Sequence, residues 1–246
     1  MFDFLQILYI LVGMTNKYIQ KIKEFRKAKG LAQEQVANVI GVSRPTYTAI
    51  EAGKQELSAE EIQKLAKFYS VTVDELLSDT TPDIEKYKQM ILAFLRMDLS
   101  KQSDGKVTKT KLAKLLYLAD FAWFYENLKS MSGMQYRRIT YGPVPDAFFR
   151  AVDELAEAGK ILIDSKNDDE KVMFLIRESE SNRNEKISLI SPEEMSLMKK
   201  IARKWKDKKT AEIVNFTHNQ LPYTLCRNDE FIPYELITQE DPDMVF

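Results

Sequence analysis

Residues 33–54, QEQVANVIGVSRPTYTAIEAGK, hold two short helical patterns around a tight turn. The first runs from Glu34 to Ile40, with Val36, Ala37 and Ile40 at helical spacing. Gly41 follows, the residue type that most readily takes the left-handed backbone at a helix C-terminus. Val42 packs into the turn, Ser43 is a natural N-cap, and Pro45 suits the first turn of the next helix. That second helix turns Tyr47 and Ile50 inward and leaves Arg44, Thr46, Thr48 and Ala49 facing outward.

Helical patterns flank the stretch on both sides. Residues 17–29 form an amphipathic helix, with Tyr18, Ile19, Ile22 and Phe25 on one face and Gly30 ending it. Ser58 caps a further helix through Ile62, Leu65, Ala66 and Phe68, and Glu61 completes a capping-box spacing. Val71–Leu77 reads as a short closing helix. The arrangement is a helix-turn-helix, whose second helix enters the DNA major groove. Leu31 and Gln33, the turn Gly41-Val42-Ser43, and Ile50-Glu51-Ala52-Gly53-Lys54 closely resemble the lambda-repressor-like (Xre/Cro type) family. The likeness implies a five-helix DNA-binding domain over about residues 17–79. In that placement Gln33 holds phosphate and braces the recognition helix. Arg44, Thr46 and Thr48 meet base edges, and Lys54 sits on phosphate. It further implies operator DNA as a partner, bound by a homodimer on half-sites about one helical turn apart.

Charge agrees with this placement. From Lys17 to Lys54 there are 8 basic and 3 acidic residues, whereas Gln55–Asp79 has 2 basic and 6 acidic. Positive charge thus collects on the helices that would face phosphate. Residues 80–246 carry 26 basic and 27 acidic residues, so bulk charge marks no second polyanion-binding module. With 44% hydrophobic and 30% charged residues over 246 positions, the chain is long enough for two ordinary globular domains. One cysteine, Cys226, and one histidine, His218, leave no disulfide framework and no Cys/His zinc site, and a reducing cytoplasm is the expected compartment.

Thr80-Thr81-Pro82 is a turn signal and the expected boundary, with residues 80–83 as linker. Beyond it, Tyr87, Ile91, Phe94 and Leu95 mark a helix over 84–97, and a polar stretch follows. The segment from Thr108 to Leu128 is apolar nearly all round, which predicts a central buried helix. Tyr136 to Pro145 reads as an extended stretch into a tight turn, after which Asp146 can cap a helix over Ala147–Ala158. Residues 160–164 and 171–177 read as a β-hairpin, and two last helices fall at about 192–206 and 210–219. The tail from Phe231 has no assignable pattern. The fold class is therefore mainly α with one small hairpin.

In this second region Lys114-Leu115-Leu116-Tyr117-Leu118-Ala119-Asp120, then Tyr136-Arg137, Tyr141-Gly142-Pro143-Val144-Pro145 and the late Glu212…His218…Leu221-Pro222-Tyr223 resemble the Panacea domain over roughly 84–226. Residues 227–246 follow as a tail. The resemblance implies an antitoxin module that neutralises a cognate protein toxin by direct contact. Some members of the family act as adaptors that deliver the toxin to a protease. On physical grounds Tyr117 and Asp120 share one helix face. A carboxylate there needs a partner if buried, which Arg137 or Arg138 could supply. Otherwise Asp120 contacts the partner protein directly. Tyr136, Tyr141, Gly142 and Pro143 form either a rigid turn or a binding patch.

No catalytic constellation is visible: the chain has neither a phosphate-cradling Gly-rich loop nor a Gly-x-Ser-x-Gly elbow. His218 and Cys226 could in principle make a base and a nucleophile, but a lone histidine in a late helix is more often structural. No metal and no cofactor are expected. Lys199–Lys209 carries seven basic residues and one acid, either a solvated helix face or a surface for an acidic toxin patch or nucleic acid. Residues 1–16 open with an apolar run, 1–13, too short to span a bilayer and without a signal peptide's basic start; it reads as an upstream start or a packing segment, with no membrane partner expected. The leading expectation is an antitoxin that also regulates its own operon. The alternatives are a stand-alone transcription regulator with a ligand-sensing or oligomerising second domain, a protease adaptor for the toxin, and, most remotely, a hydrolase.

Overall fold

The computed structural model describes residues 18–27, 29–69, 71, 73, 76, 82–97, 99, 105–168 and 171–246. The chain divides between Thr81 and Pro82 into two compact units, each with its own core. The apolar opening run lies outside the described residues, as do most of the expected closing helix Val71–Leu77 and the first half of the linker.

The first unit is helical. Helix α1 covers residues 18–27, α2 Gln33–Ile40, α3 Arg44–Glu51 and α4 Ala59–Tyr69. Their apolar positions converge on one core, in which Ile22, Val36, Tyr47, Ile50 and Leu65 are fully buried. The caps are local. Gly41 takes φ +82° and its N–H closes onto the Ala37 carbonyl. Ser43 Oγ accepts from the Thr46 N–H at 3.2 Å, and Ser58 and Glu61 form the reciprocal capping box.

The second unit is built on one helix. The described elements are α5 (Ile84–Leu95), β1 (Val107–Thr108), α6 (Lys109–Asn127), α7 (Ala147–Glu157), β2 (Ile161–Asp168), β3 (Lys171–Glu178), α8 (Pro192–Trp205), α9 (Thr210–Asn219) and α10 (Leu221–Leu225). Every residue of α6 from Lys111 to Ala122 is buried, because α5, α8, α9, the short strand β1 and a 3-10 helix (Tyr234–Gln239) pack around it. Apolar character on all sides is what such a position requires.

The hairpin β2–β3 pairs antiparallel from Ile161↔Glu178 to Asp168↔Lys171. A third strand that sequence reading does not foresee, β1, pairs Val107 with Ile176, giving the order β1-β3-β2. Two residues carry no readable strand pattern, so only the tertiary arrangement reveals it. The chain is thus mainly α with a small antiparallel sheet.

Asp146 stands at the start of α7 but makes no capping hydrogen bond there; its carboxylate lies 3.5 Å from Arg137 instead. The residues after Phe231, which have no readable pattern, pack into the core through Ile232, Tyr234, Ile237 and Val245. No helix among the described residues is long and apolar enough to cross a membrane.

Candidate functional site

In the first unit a hydrogen-bonded chain ties the turn to the outward face of α3. Arg26 forks onto Glu51 with Nε–Oε1 at 2.6 Å and a second bond at 2.9 Å, and it also donates to the Leu31 carbonyl. Gln33 donates to the same carboxylate at 2.8 Å and accepts from Thr48 Oγ1 at 3.1 Å. Burial by itself would raise the Glu51 carboxyl; the hydrogen bonds from Arg26 and Gln33 outweigh it and hold it below the usual carboxylate range.

Gln33 therefore links the opening of α2 to both the middle and the end of α3. Arg44, at the start of α3, and Lys54, three residues past its end, are exposed and have no side-chain partner among the described residues. Thr48 is exposed, its hydroxyl also within reach of the Arg44 carbonyl at 2.9 Å. Thr46 is half-buried and bonds Ser43 through its hydroxyl at 2.8 Å, so its oxygen is shared with the cap. Ala49 is half-buried.

The pair predicts a stability effect. Glu51→Gln leaves Arg26 without its carboxylate, and the unit is expected to lose about 3 kcal/mol in chemical denaturation. Because the native carboxyl is held low, its contribution is complete above the unfolded-state value and fades as pH falls through the native one. The parent should accordingly lose stability as pH falls below the ordinary glutamate value of 4.5, and the Gln variant should lack that component.

In the second unit the residues singled out from sequence fall at three depths. Tyr117, Asp120 and Tyr136 have no exposed surface; Gly142 and Pro143 are buried; Arg137 is half-buried, and Tyr141 is 76% exposed. Asp120 is not paired with Arg137 or Arg138, contrary to expectation. Its carboxylate accepts from the Ser132 N–H at 2.7 Å, from the Ser132 hydroxyl and from the Tyr136 hydroxyl at 2.8 Å. Hydroxyls and the Ser132 and Met131 amides satisfy it with no arginine at the carboxylate. Burial still pushes its pKa up to about 6, more than these hydrogen bonds pull it down. Tyr117, Phe121, Tyr136 and Tyr234 pack edge-to-face and stacked around it, with neighbouring centroids 4.3–5.6 Å apart.

The two arginines serve the surface instead. Arg137 pairs through its backbone with both Val144 and Phe231, which makes Tyr136-Arg137-Arg138 the middle of a three-segment layer. Its guanidinium lies 4.1 Å from the Phe231 ring centroid and donates to the Asp229 carbonyl. Arg138 lies over the Tyr223 ring and donates to the Tyr223 carbonyl at 3.0 Å. Tyr223 in turn donates to the Ile139 carbonyl and stacks on His218, 4.3 Å away and nearly parallel.

Gly142 explains the tight turn. It closes the turn with an N–H to the Ile139 carbonyl and takes φ +93°. A Cβ there would meet His218 Nε2 and Lys114 Cε at 2.7 Å. Lys114, 2% exposed, donates to the Pro143 carbonyl at 3.0 Å, and burial pushes its pKa down to about 7. Lys114 opens the Lys114–Asp120 motif, and a lysine in a helix apolar on every side is the sequence signal that marks it. Ser132 gave no such signal.

His218 bonds the Tyr141 backbone, and burial together with Lys114 lowers its pKa. The Cys226 thiol reaches the Phe231 carbonyl at 3.8 Å, and burial raises its pKa, opposite to what an activated nucleophile needs. Elsewhere in the unit a cleft beside α5 is crossed by the ion pairs Lys88–Glu154 and Lys160–Glu185.

Comparison with known proteins assigns both units. A helix-turn-helix family model matches residues 22–76, and the model described as antitoxin SocA-like, Panacea domain, matches residues 112–222. Among curated proteins, the chain is 44% identical to the cryptic phage CTXphi transcriptional repressor RstR of Vibrio cholerae, over 33% of this chain and 74% of that protein. It is 36% identical to the control protein C.MunI of a Mycoplasma species, over 26% of this chain and 86% of the relative. Identity to the transcriptional activator BcrR of Enterococcus faecalis is 40%, over 25% of this chain and 30% of that protein. No solved structure matches the chain. Through its first unit the chain belongs to the helix-turn-helix family of transcriptional regulators, and its second unit carries a SocA-like Panacea domain, an antitoxin-like module.

Proposed function

We propose that this chain is an antitoxin that binds and neutralises a cognate protein toxin through its second unit and represses its own operon through the first. The observation that carries the reading is the union, in one chain, of a helix-turn-helix unit with a Panacea domain. The names of the relatives, a transcriptional repressor and a control protein among them, support regulation at an operator. In this reading the chain is a binding and regulatory protein of the cytoplasm, not an enzyme, and it sits on DNA as a homodimer.

Within the first unit, Arg44, Thr46 and Thr48 face base edges, Lys54 holds phosphate, and Gln33 braces α3 while touching phosphate. Arg44→Ala is expected to weaken operator binding by about 1–3 kcal/mol and relax preference at one position. Equal binding by the variant and the parent would refute this groove-facing assignment. Within the second unit, the toxin contact centres on the exposed Tyr141, with the half-buried Arg137 of the same segment as a second anchor, an aromatic and an arginine being favoured at interfaces. Tyr117, Asp120, Tyr136, Gly142 and Pro143 hold that turn in place from beneath.

Growth of cells expressing the toxin from the neighbouring gene tests the whole. The full chain, a fragment of residues 82–246 and the Arg44→Ala protein should all rescue, since the second unit has a core of its own. Rescue that vanishes when the host's proteases are removed would favour delivery to a protease over direct inhibition. The regulator names of the relatives favour a second reading, a stand-alone transcription regulator. It predicts operator binding with no rescue by any of the three proteins.

A further inference from the structure

We propose that the outward face of α8 is a second polyanion-binding surface, which grips the phosphate backbone of DNA without reading sequence. Glu194, Leu197, Met198, Ile201, Ala202 and Trp205 fix the buried side of this helix. The opposite side then carries Lys199, Lys200, Arg203 and Lys204, all exposed, and Lys208 and Lys209 continue the surface just beyond the helix. Lys199, Lys200 and Arg203 meet no carboxylate and no hydrogen-bond acceptor among the described residues, whereas Lys209 is exposed but lies near Glu212, whose carboxylate accepts from the Lys209 N–H at 2.7 Å. Lys208 reaches Glu212 at 3.5 Å, and Lys204 lies against the Phe216 and Phe246 rings and the terminal carbonyl.

Two features select nucleic acid over an acidic protein surface. From residue 199 to 204 the helix rises about 7.5 Å. Duplex DNA carries one charge per about 1.7 Å of axis, so roughly four phosphates stand along the same length, enough to meet Lys199, Lys200 and Arg203. The surface is also dominated by lysine and has no apolar centre: no large hydrophobic side chain between Leu189 and Leu225 is exposed. Protein interfaces deplete lysine and gather around aromatic or aliphatic anchors, whereas phosphate contacts need point charges alone. Balanced charge over residues 80–246 hides the surface, because its excess of cations is offset by acids elsewhere in the unit.

The consequence is that full-length protein binds DNA more tightly, and with a steeper salt dependence, than its helix-turn-helix unit alone accounts for. The test compares the full chain with the Lys199→Gln/Lys200→Gln/Arg203→Gln/Lys209→Gln variant. The probes are a duplex from upstream of the chain's own gene and a scrambled duplex of equal length. All four side chains are exposed, so the thermal midpoint should hold. Each lost phosphate contact flattens the slope of log K against log salt by about 0.9. The expected change is about 2–4 units, with affinity for both duplexes falling at least about tenfold at 0.15 M salt and their ratio preserved.

An unchanged slope and affinity would overturn the proposal. So would an unchanged slope together with lost rescue from the toxin, which would mark the surface as protein-binding. Arg44→Ala in the same assay separates this from the groove assignment. It should change the ratio between the two duplexes, and if it does not, that assignment fails while the α8 result stands or falls on its slope.

Discussion

Asp120→Ala should lower the stability of the second unit by about 3–4 kcal/mol and, under the antitoxin reading proposed above, remove toxin rescue in proportion. The carboxylate holds the Ser132 amide, the Ser132 hydroxyl and the Tyr136 hydroxyl, all in a site with no exposed surface. Each buried donor left without an acceptor costs about 1–3 kcal/mol. Part of that is returned, since the charged carboxylate is itself held at a cost, as its pKa of about 6 records.

Asp120→Asn should be milder. It keeps an acceptor for the Ser132 amide, and both hydroxyls can rotate to accept from the new NH2 group. The parent also has a pH signature that neither variant shares. With the native pKa raised from 3.8 to about 6, the folded chain binds more protons through that window. This group's contribution therefore falls as pH rises from about 4 to 6. Denaturation of the three proteins across that range checks both statements. A loss below about 1 kcal/mol in the alanine variant would show that the 130–136 segment is held by something else.

Lys114→Met should act in the opposite direction. Lys114 is a buried amine whose one hydrogen bond among the described residues goes to the Pro143 carbonyl. Burial brings its pKa from 10.5 down to about 7. Between those values the unfolded chain holds a proton that the folded chain has released, so stability rises with pH. The slope is at most about 1.4 kcal/mol per unit. Measured from pH 7.5 to 9, below the range in which the tyrosines ionise, the parent should show this slope and Lys114→Met should not.

At pH 7 methionine should stabilise the unit by about 2–3 kcal/mol, the gain from removing a buried charge less the acceptor left unpaired at Pro143. An identical pH slope in both proteins would mean that Lys114 is not the titrating group. Stabilisation need not preserve activity, because Lys114 and His218 both press on Gly142, beneath the exposed Tyr141.

The two buried groups also divide the reading of the second unit. Asp120 cannot touch a partner, so any effect of its substitution on toxin binding must pass through the 130–136 segment and the layer that Tyr136 begins. Tyr141 can touch one. Substituting Tyr141 should alter rescue with little change in melting, and substituting Asp120 should alter both together.

What the sequence determined by itself was whatever depends on residues within about one helical turn of each other. The core faces of α2 and α3 follow from Val36, Ala37, Ile40, Tyr47 and Ile50 at helical spacing, and the turn between them from Gly41 and Ser43. The capping box of α4 lies within three residues, and the burial of α6 shows in its lack of a polar side. Partners farther along the chain were decided only in three dimensions. Asp120 finds Ser132 and Tyr136 12 and 16 residues away, while Lys114 meets Pro143 at a separation of 29. Arg138 meets Tyr223 at a separation of 85, and Tyr234 donates to Met134 at 100. An arginine beside Asp120 was a reasonable expectation from charge alone, but the backbone pairing of Arg137 with Val144 and Phe231 commits it to another layer. Periodicity and capping are written in neighbouring side chains. Which donor reaches a buried carboxylate depends on where the chain reverses, and that is set by the packing of α5, α8, α9 and the 3-10 helix Tyr234–Gln239 around α6.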